Sequence, residues 1–248
     1  MTHETQVHIV PNSDTAVLLV HGILGTPHQF DPLLPAIPDT FTTVNLLLDG
    51  HGGQVDAFSR SSMQKWEAQV ADVVENLCRE YPNVLIIAHS MGTLFAIDAA
   101  LQHPNTVKGI FLLSPPLRVG LKARLFSNAL KVGLGFARPD DAGAMAARHA
   151  YSMVPDRRIW KYLGWVPRYL ELFRKIRSTR KILPQLKTPT KAFLCEDDEM
   201  VSLRSDRYLL SHPAVELTYL PTSTHFIYSE NDAALLCTAF KDFYTRLL

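Results

Sequence analysis

The 248-residue chain has little cysteine and no cysteine pattern. Cys78, Cys195 and Cys237 are odd in number, scattered and without metal-ligand spacing, which argues against a disulfide scaffold or a zinc module. Each falls in a helical or strand pattern, so core packing is the expected role. No apolar run approaches the roughly 20 residues that a membrane-spanning helix needs. The segment Met1–Gln6 lacks the basic start and apolar stretch of a secretory signal, and with the unpaired thiols this favours a reduced cytoplasm. An excess of one charge is also missing, with 25 Lys plus Arg against 24 Asp plus Glu. Repeats and low-complexity tracts are absent too. A 47% apolar content is ample for a sizeable core, which excludes a disordered chain.

What is there is an order of elements. Short aliphatic runs at Val7–Val10, Ala16–Val20, Val44–Leu48, Val84–Ala88, Ile110–Leu113, Thr190–Leu194 and Val215–Leu220 read as strands. Between them, Ser62–Glu80, Gly92–Gln102 and Asp232–Leu248 have helical periodicity, the first with Ser61 or Ser62 as N-cap and Tyr81-Pro82 as its stop. Strands without strict polar alternation, interleaved with helices, predict an α/β fold with a mostly parallel central sheet covered on both faces.

One stretch breaks the rhythm. Residues 117–188 show helical patterns and no convincing strand, so a helical cap is expected there, inserted into a core of residues 1–116 and 189–248. The insertion holds sixteen Lys or Arg and four acids (Asp140, Asp141, Asp156, Glu171), a formal +12 that leaves the core at −11. Leu121, Leu125, Phe126, Leu130, Val132, Leu134 and Phe136 are interleaved with Arg118, Lys122, Arg124 and Lys131. Lining of an apolar pocket is the first reading of that stripe, a solvated charged face the second, and weak contact with anionic lipid the third. No aromatic-interleaved basic motif accompanies the charge, which argues against a nucleic-acid partner.

The strongest chemical signal is Ala88-His89-Ser90-Met91-Gly92, where a buried strand runs directly into a helix. A serine on so tight a turn is pushed out above the sheet, which requires small residues two places to either side. Alanine stands where G-x-S-x-G has its first glycine. An activated serine needs a base, and the base needs an orienting acid. Candidates follow the last two strands, at the sheet edge where sites of such folds gather. His225 is preferred among the ten histidines, since His103 and His212 precede prolines and read as helix terminators. Asp198, three residues before Val201, is preferred over its equally polar neighbours Glu196 and Asp197. Backbone N–H groups must stabilise the developing oxyanion. Met91, just after the serine, and Ile23, in the loop His21-Gly22-Ile23-Leu24-Gly25-Thr26-Pro27, are the expected donors. Structural roles are favoured for His21, His51 and His89.

These residues, with Asp49-Gly50-His51-Gly52, Asp198-Glu199-Met200-Val201 and Ser223-Thr224-His225, resemble the α/β-hydrolase superfamily over essentially the whole chain. Within it the closer likeness is to bacterial carboxylesterases and monoacylglycerol lipases. The resemblance implies ester hydrolysis through an acyl-enzyme, a small-molecule ester as substrate, no cofactor or metal, and a cap that shapes the acyl pocket. Two departures are Ala88 for glycine and Asp49 where related loops often carry proline. A thioesterase or amidase would use the same residues, and a non-catalytic binder on this fold is the alternative of another class. Acyl length and oligomeric state are not legible.

Overall fold

The computed structural model describes residues 3–120, 122, 154, 156 and 158–248. Elements are numbered over these residues. Seven strands form one sheet: β1 (Gln6–His8), β2 (Thr15–Val20), β3 (Thr42–Leu46), β4 (Asn83–His89), β5 (Val107–Leu113), β6 (Thr190–Cys195) and β7 (Val215–Leu220). Their spatial order is β1-β3-β2-β4-β5-β6-β7. Only β1 runs antiparallel, against β3, and every other neighbour pair is parallel.

Both faces of the central strands are buried, which is why their sequences show unbroken aliphatic runs. On one face Ala16, Leu18, Val20, Ile86, Ile110 and Ala192 pack with α2 (Met63–Glu80), α3 (Met91–Gln102) and α4 (Val166–Ile182). On the other, the alternate residues Val17, Leu19, Leu85, Ile87, Phe111 and Phe193 meet Phe240 and Phe243 of α5 (Glu230–Leu247). Ser62, not Ser61, caps α2, accepting the Lys65 N–H at 3.2 Å. Ser61 instead ends the short α1 (Val55–Arg60) and donates from its hydroxyl to Asp49 Oδ2 at 2.7 Å.

Three strands differ from the sequence expectation. β3 runs Thr42–Leu46 rather than Val44–Leu48, its threonines pairing with β1 and β2 although they are not aliphatic. β5 starts at Val107 rather than Ile110: Val107 pairs with Val84 and Gly109 with Leu85, and Lys108 is the extra residue of a bulge between them. β1 ends at His8, and Val7 and Ile9 are exposed on the sheet edge.

Between β5 and β6 the described residues contain no strand, only isolated bridges, and α4 with flanking 3-10 turns. Part of this segment is bound to the core by polar contacts. Arg168 donates to the carbonyls of Ser59 (3.0 Å) and Ser61 and pairs with Glu171 at 2.5 Å. Glu171 in turn accepts the Met63 N–H at 2.9 Å. Lys175 bridges Glu67 of α2 (2.8 Å) and Asp98 of α3. The apolar stripe Leu121, Leu125, Phe126, Leu130, Val132, Leu134 and Phe136 lies outside the described residues, as do Arg124 and Lys131.

Candidate active site

The sheet order brings together three chain segments far apart in sequence. Ser90 follows β4, Asp198 follows β6 and His225 follows β7, all at carboxyl ends of parallel strands. Ser90 has φ 49° and ψ −121°, a left-handed conformation that a non-glycine residue adopts only under constraint. Its N–H is bound to Leu113 O at 2.9 Å, and its carbonyl accepts both the N–H (3.0 Å) and the hydroxyl (2.6 Å) of Thr93. Gly92 is obligatory in this turn, since a Cβ there would lie 2.2 Å from the Val20 carbonyl oxygen. Ala88 is fully buried, so the alanine in place of the motif's first glycine fits.

The Ser90 hydroxyl lies 3.0 Å from His225 Nε2, and His225 Nδ1 lies 2.8 Å from Asp198 Oδ2. A carboxylate only accepts, so Nδ1 carries the proton and Nε2 is free to receive the serine's. All three side chains are buried. Asp198 Oδ1 accepts the N–H groups of Met200 (2.8 Å) and Val201 (2.7 Å). Burial is the largest influence on its carboxyl and opposes ionisation. The His225 charge and hydrogen bond and the two N–H groups outweigh it, so the pKa lies below the ordinary value. Asp197, by contrast, is 63% exposed and pairs with Lys122 at 3.7 Å.

The loop after β2 lies against the serine. No acceptor among the described residues takes the N–H of Ile23 or of Met91. His21 donates from Nδ1 to Gly22 O at 2.8 Å and accepts the Leu48 N–H at Nε2 (3.1 Å), tying this loop to the one after β3. Burial and then the neighbouring His51 hold His21 well below the ordinary imidazole pKa. Burial likewise brings His51 to about 4. Asp49 uses its N–H to donate to Gln69 Oε1 at 2.8 Å, a bond that proline in its place would lose.

Glu199 and Asp232 escaped sequence reasoning, whereas His89 was given a structural role there. Glu199 Oε2 accepts the His225 N–H at 3.0 Å, and His89 Nε2 lies 3.1 Å from the His225 carbonyl. The Asp232 carboxylate, in the first turn of α5, accepts from Thr222 N (3.1 Å), Thr222 Oγ1 (2.9 Å) and Ser223 Oγ (2.6 Å), fixing the loop that carries His225. Adjacency to Asp198 was the only local signal for Glu199. Among the described residues no group of three or more His, Cys, Asp or Glu is arranged to hold a metal ion. Nor is any helix among them long and apolar enough to cross a membrane. A cavity of about 350 Å³ between α2, α3 and α4, lined by Glu67, Phe95, Asp98 and Lys175, includes neither Ser90, Asp198 nor His225.

Comparison with known proteins agrees with this architecture. The alpha/beta hydrolase family matches residues 17–236. The thermostable monoacylglycerol lipase of Bacillus sp. (strain H-257) is 24% identical over 95% of this chain and 92% of its own. The monoglyceride lipase homolog of Monkeypox virus is 25% identical over 66% of this chain and 64% of its own. Among solved structures, one from a study of LipS and LipT, two metagenome-derived lipolytic enzymes, superposes with a TM-score of 0.75 at 21% identity, covering 99% and 98% of the two chains. The crystal structure of the Paleococcus ferrophilus monoacylglycerol lipase gives a TM-score of 0.66 at 19% identity, over 100% of both chains.

Proposed function

The chain belongs to the alpha/beta hydrolase family, and on that premise we propose that it is a serine hydrolase cleaving short- to medium-chain carboxylic esters, monoacylglycerols among them. The observation that carries this reading is the continuous line Ser90 Oγ, His225 Nε2, His225 Nδ1, Asp198 Oδ2, with steps of 3.0 and 2.8 Å. The lipases to which the chain is similar support an ester as substrate.

In the proposed reaction Ser90 Oγ attacks the ester carbonyl while its proton passes to His225 Nε2. Asp198 holds the imidazole in the right tautomer and stabilises the imidazolium. The oxyanion of the tetrahedral intermediate accepts from the N–H groups of Ile23 and Met91, which are free for that task. Collapse breaks the bond to the alcohol, which leaves with the proton from Nε2, and the acyl group stays on Ser90. Water then gives a proton to His225 and attacks the acyl carbon. The acid departs as the proton returns to Ser90.

Residues 1–116 and 189–248 form the hydrolase core in this reading, and 117–188 the cap over the acyl site. Weak contact of the cap with anionic lipid is supported by its +12 charge and by the exposed Trp160, Leu163 and Leu170. Three free cysteines suit the cytoplasm.

The test is hydrolysis of p-nitrophenyl esters from acetate to decanoate by the wild type and by Ser90→Ala. Activity lost in the variant supports the nucleophile, and the chain-length optimum sizes the pocket. Full activity in Ser90→Ala overturns the assignment, whereas an inert wild type moves thioesters and amides ahead of esters.

A further inference from the structure

Both peptide groups that flank the His225 Cα are gripped by buried side chains, and each grip comes from the chain neighbour of another member of the relay. Glu199 follows Asp198 and accepts the His225 N–H at 3.0 Å. His89 precedes Ser90 and stands with Nε2 3.1 Å from the His225 carbonyl. A carbonyl only accepts, so His89 carries hydrogen on Nε2, and the Gln29 amide 3.4 Å from that nitrogen is oriented with its oxygen toward it. Burial, and then the nearness of His225, hold its pKa well below the ordinary imidazole value, so this ring is neutral at pH 7. The two imidazole centroids are 4.7 Å apart. His89 and Glu199 are 1% and 8% exposed. Glu199 also gives its own carbonyl to the Lys122 N–H at 2.9 Å, at the start of the 117–188 insertion.

The imidazole hangs from Cα by two torsions, so tilting either flanking peptide moves Nε2 relative to the serine. Hydrogen bonds that span strand ends remove that freedom. We infer that Glu199 and His89 are positioning residues that clamp the main chain of His225, keeping Nε2 within reach of Ser90 Oγ while Nδ1–H stays on Asp198. This rests on the proposed roles of Ser90, His225 and Asp198. Glu199 acts as an acceptor and His89 as a donor, and neither exchanges a proton in the reaction.

Glu199→Gln keeps an acceptor and His89→Gln keeps a donor, while alanine at either position removes the grip. The experiment compares these four variants, the double alanine variant, Ser90→Ala and wild type in p-nitrophenyl butyrate hydrolysis. It also records the low-field proton resonance of His225 Nδ1–H, which needs no substrate. The alanine variants are expected to lose about 10- to 100-fold in kcat with KM within about twofold, the size of effect that misplacing a reacting group produces. Their low-field resonance broadens or disappears. The glutamine variants stay within about fivefold of wild type and keep the resonance. The double alanine variant loses less than the product of the single losses, because both grips act on one geometry.

Folded alanine variants with wild-type kcat and an unchanged resonance, altered only in melting temperature, overturn the clamp. So do glutamine variants as impaired as the alanine ones. If Glu199→Ala does not fold, Glu199→Asp shortens the reach by one methylene and is expected to lose kcat in the same way, so wild-type kcat in that variant is also disproof. Should the wild type cleave no ester, the proposed function fails, and the resonance alone then decides the clamp.

Discussion

Gly22 and Ser90 stand so close that a Cβ on the glycine would fall 2.7 Å from the Cβ of the serine and 3.3 Å from its hydroxyl. The loop bearing Ile23 therefore reaches the serine only because residue 22 has no side chain. Gly22→Ala must push the loop back, and with it the Ile23 N–H. We expect kcat/KM for p-nitrophenyl butyrate to fall about 100-fold. Circular dichroism should report an unchanged fold. Wild-type activity in the alanine variant would remove Ile23 from the oxyanion site.

Asp198→Asn is expected to preserve the geometry and to abolish most of the activity. An amide in place of the carboxylate loses the acceptor that keeps the His225 proton on Nδ1, so the wrong tautomer faces Ser90. Loss of kcat by about four powers of ten, with KM little changed, is the expected scale for that defect. Asp197→Asn, at an exposed position, serves as the control and should leave kcat near wild type.

Stability should fall as the solution is acidified below neutrality. His51 has its pKa brought by burial from 6.5 to about 4 in the folded protein. Between those values the unfolded chain binds the additional proton, so the contribution is full above pH 6.5, declines as pH falls to about 4 and then levels off, amounting to about 3 kcal/mol. His21 and His89, also lowered by burial, act with the same sign. Asp198 has a depressed pKa, so its contribution is present above the ordinary carboxylate range and is lost as pH falls through its folded value. Urea titrations between pH 8 and 4 measure the slope. His51→Phe should flatten it, and an equally steep profile in that variant would contradict the assignment.

Arg168 joins α4 to the carbonyls that end α1, and its forked guanidinium serves Ser59, Ser61 and Glu171 together. Arg168→Ala leaves a partly buried carboxylate and two carbonyls without that partner and is expected to cost about 2–3 kcal/mol in urea denaturation. Lysine cannot reproduce the fork, so Arg168→Lys should recover less than half of the loss. Full recovery by lysine would mean that charge alone holds α4 in place.

The strand-to-helix turn at Ser90 and the alternation of strands and helices were legible in the sequence because each is a local pattern. A buried parallel strand must be aliphatic along its length, and a sharp strand-to-helix turn admits only small neighbours. The start of β5 was not legible, since the bulge at Lys108 and the pairing of Gly109 with Leu85 depend on β4. Spacing before Val201 prefers Asp198 to Glu196 and Asp197, but composition does not show which carboxylate faces His225. The tertiary structure separates them: the turn after β6 aims Asp198 inward, where Met200 and Val201 N–H groups receive it, and leaves Asp197 in solvent beside Lys122. The grip of Glu199 and His89 on His225 likewise comes only from the sheet order, which sets the ends of β4, β6 and β7 close together. Hydrogen bonds between residues 26 and 136 positions apart need that proximity, and no periodicity along the chain records it.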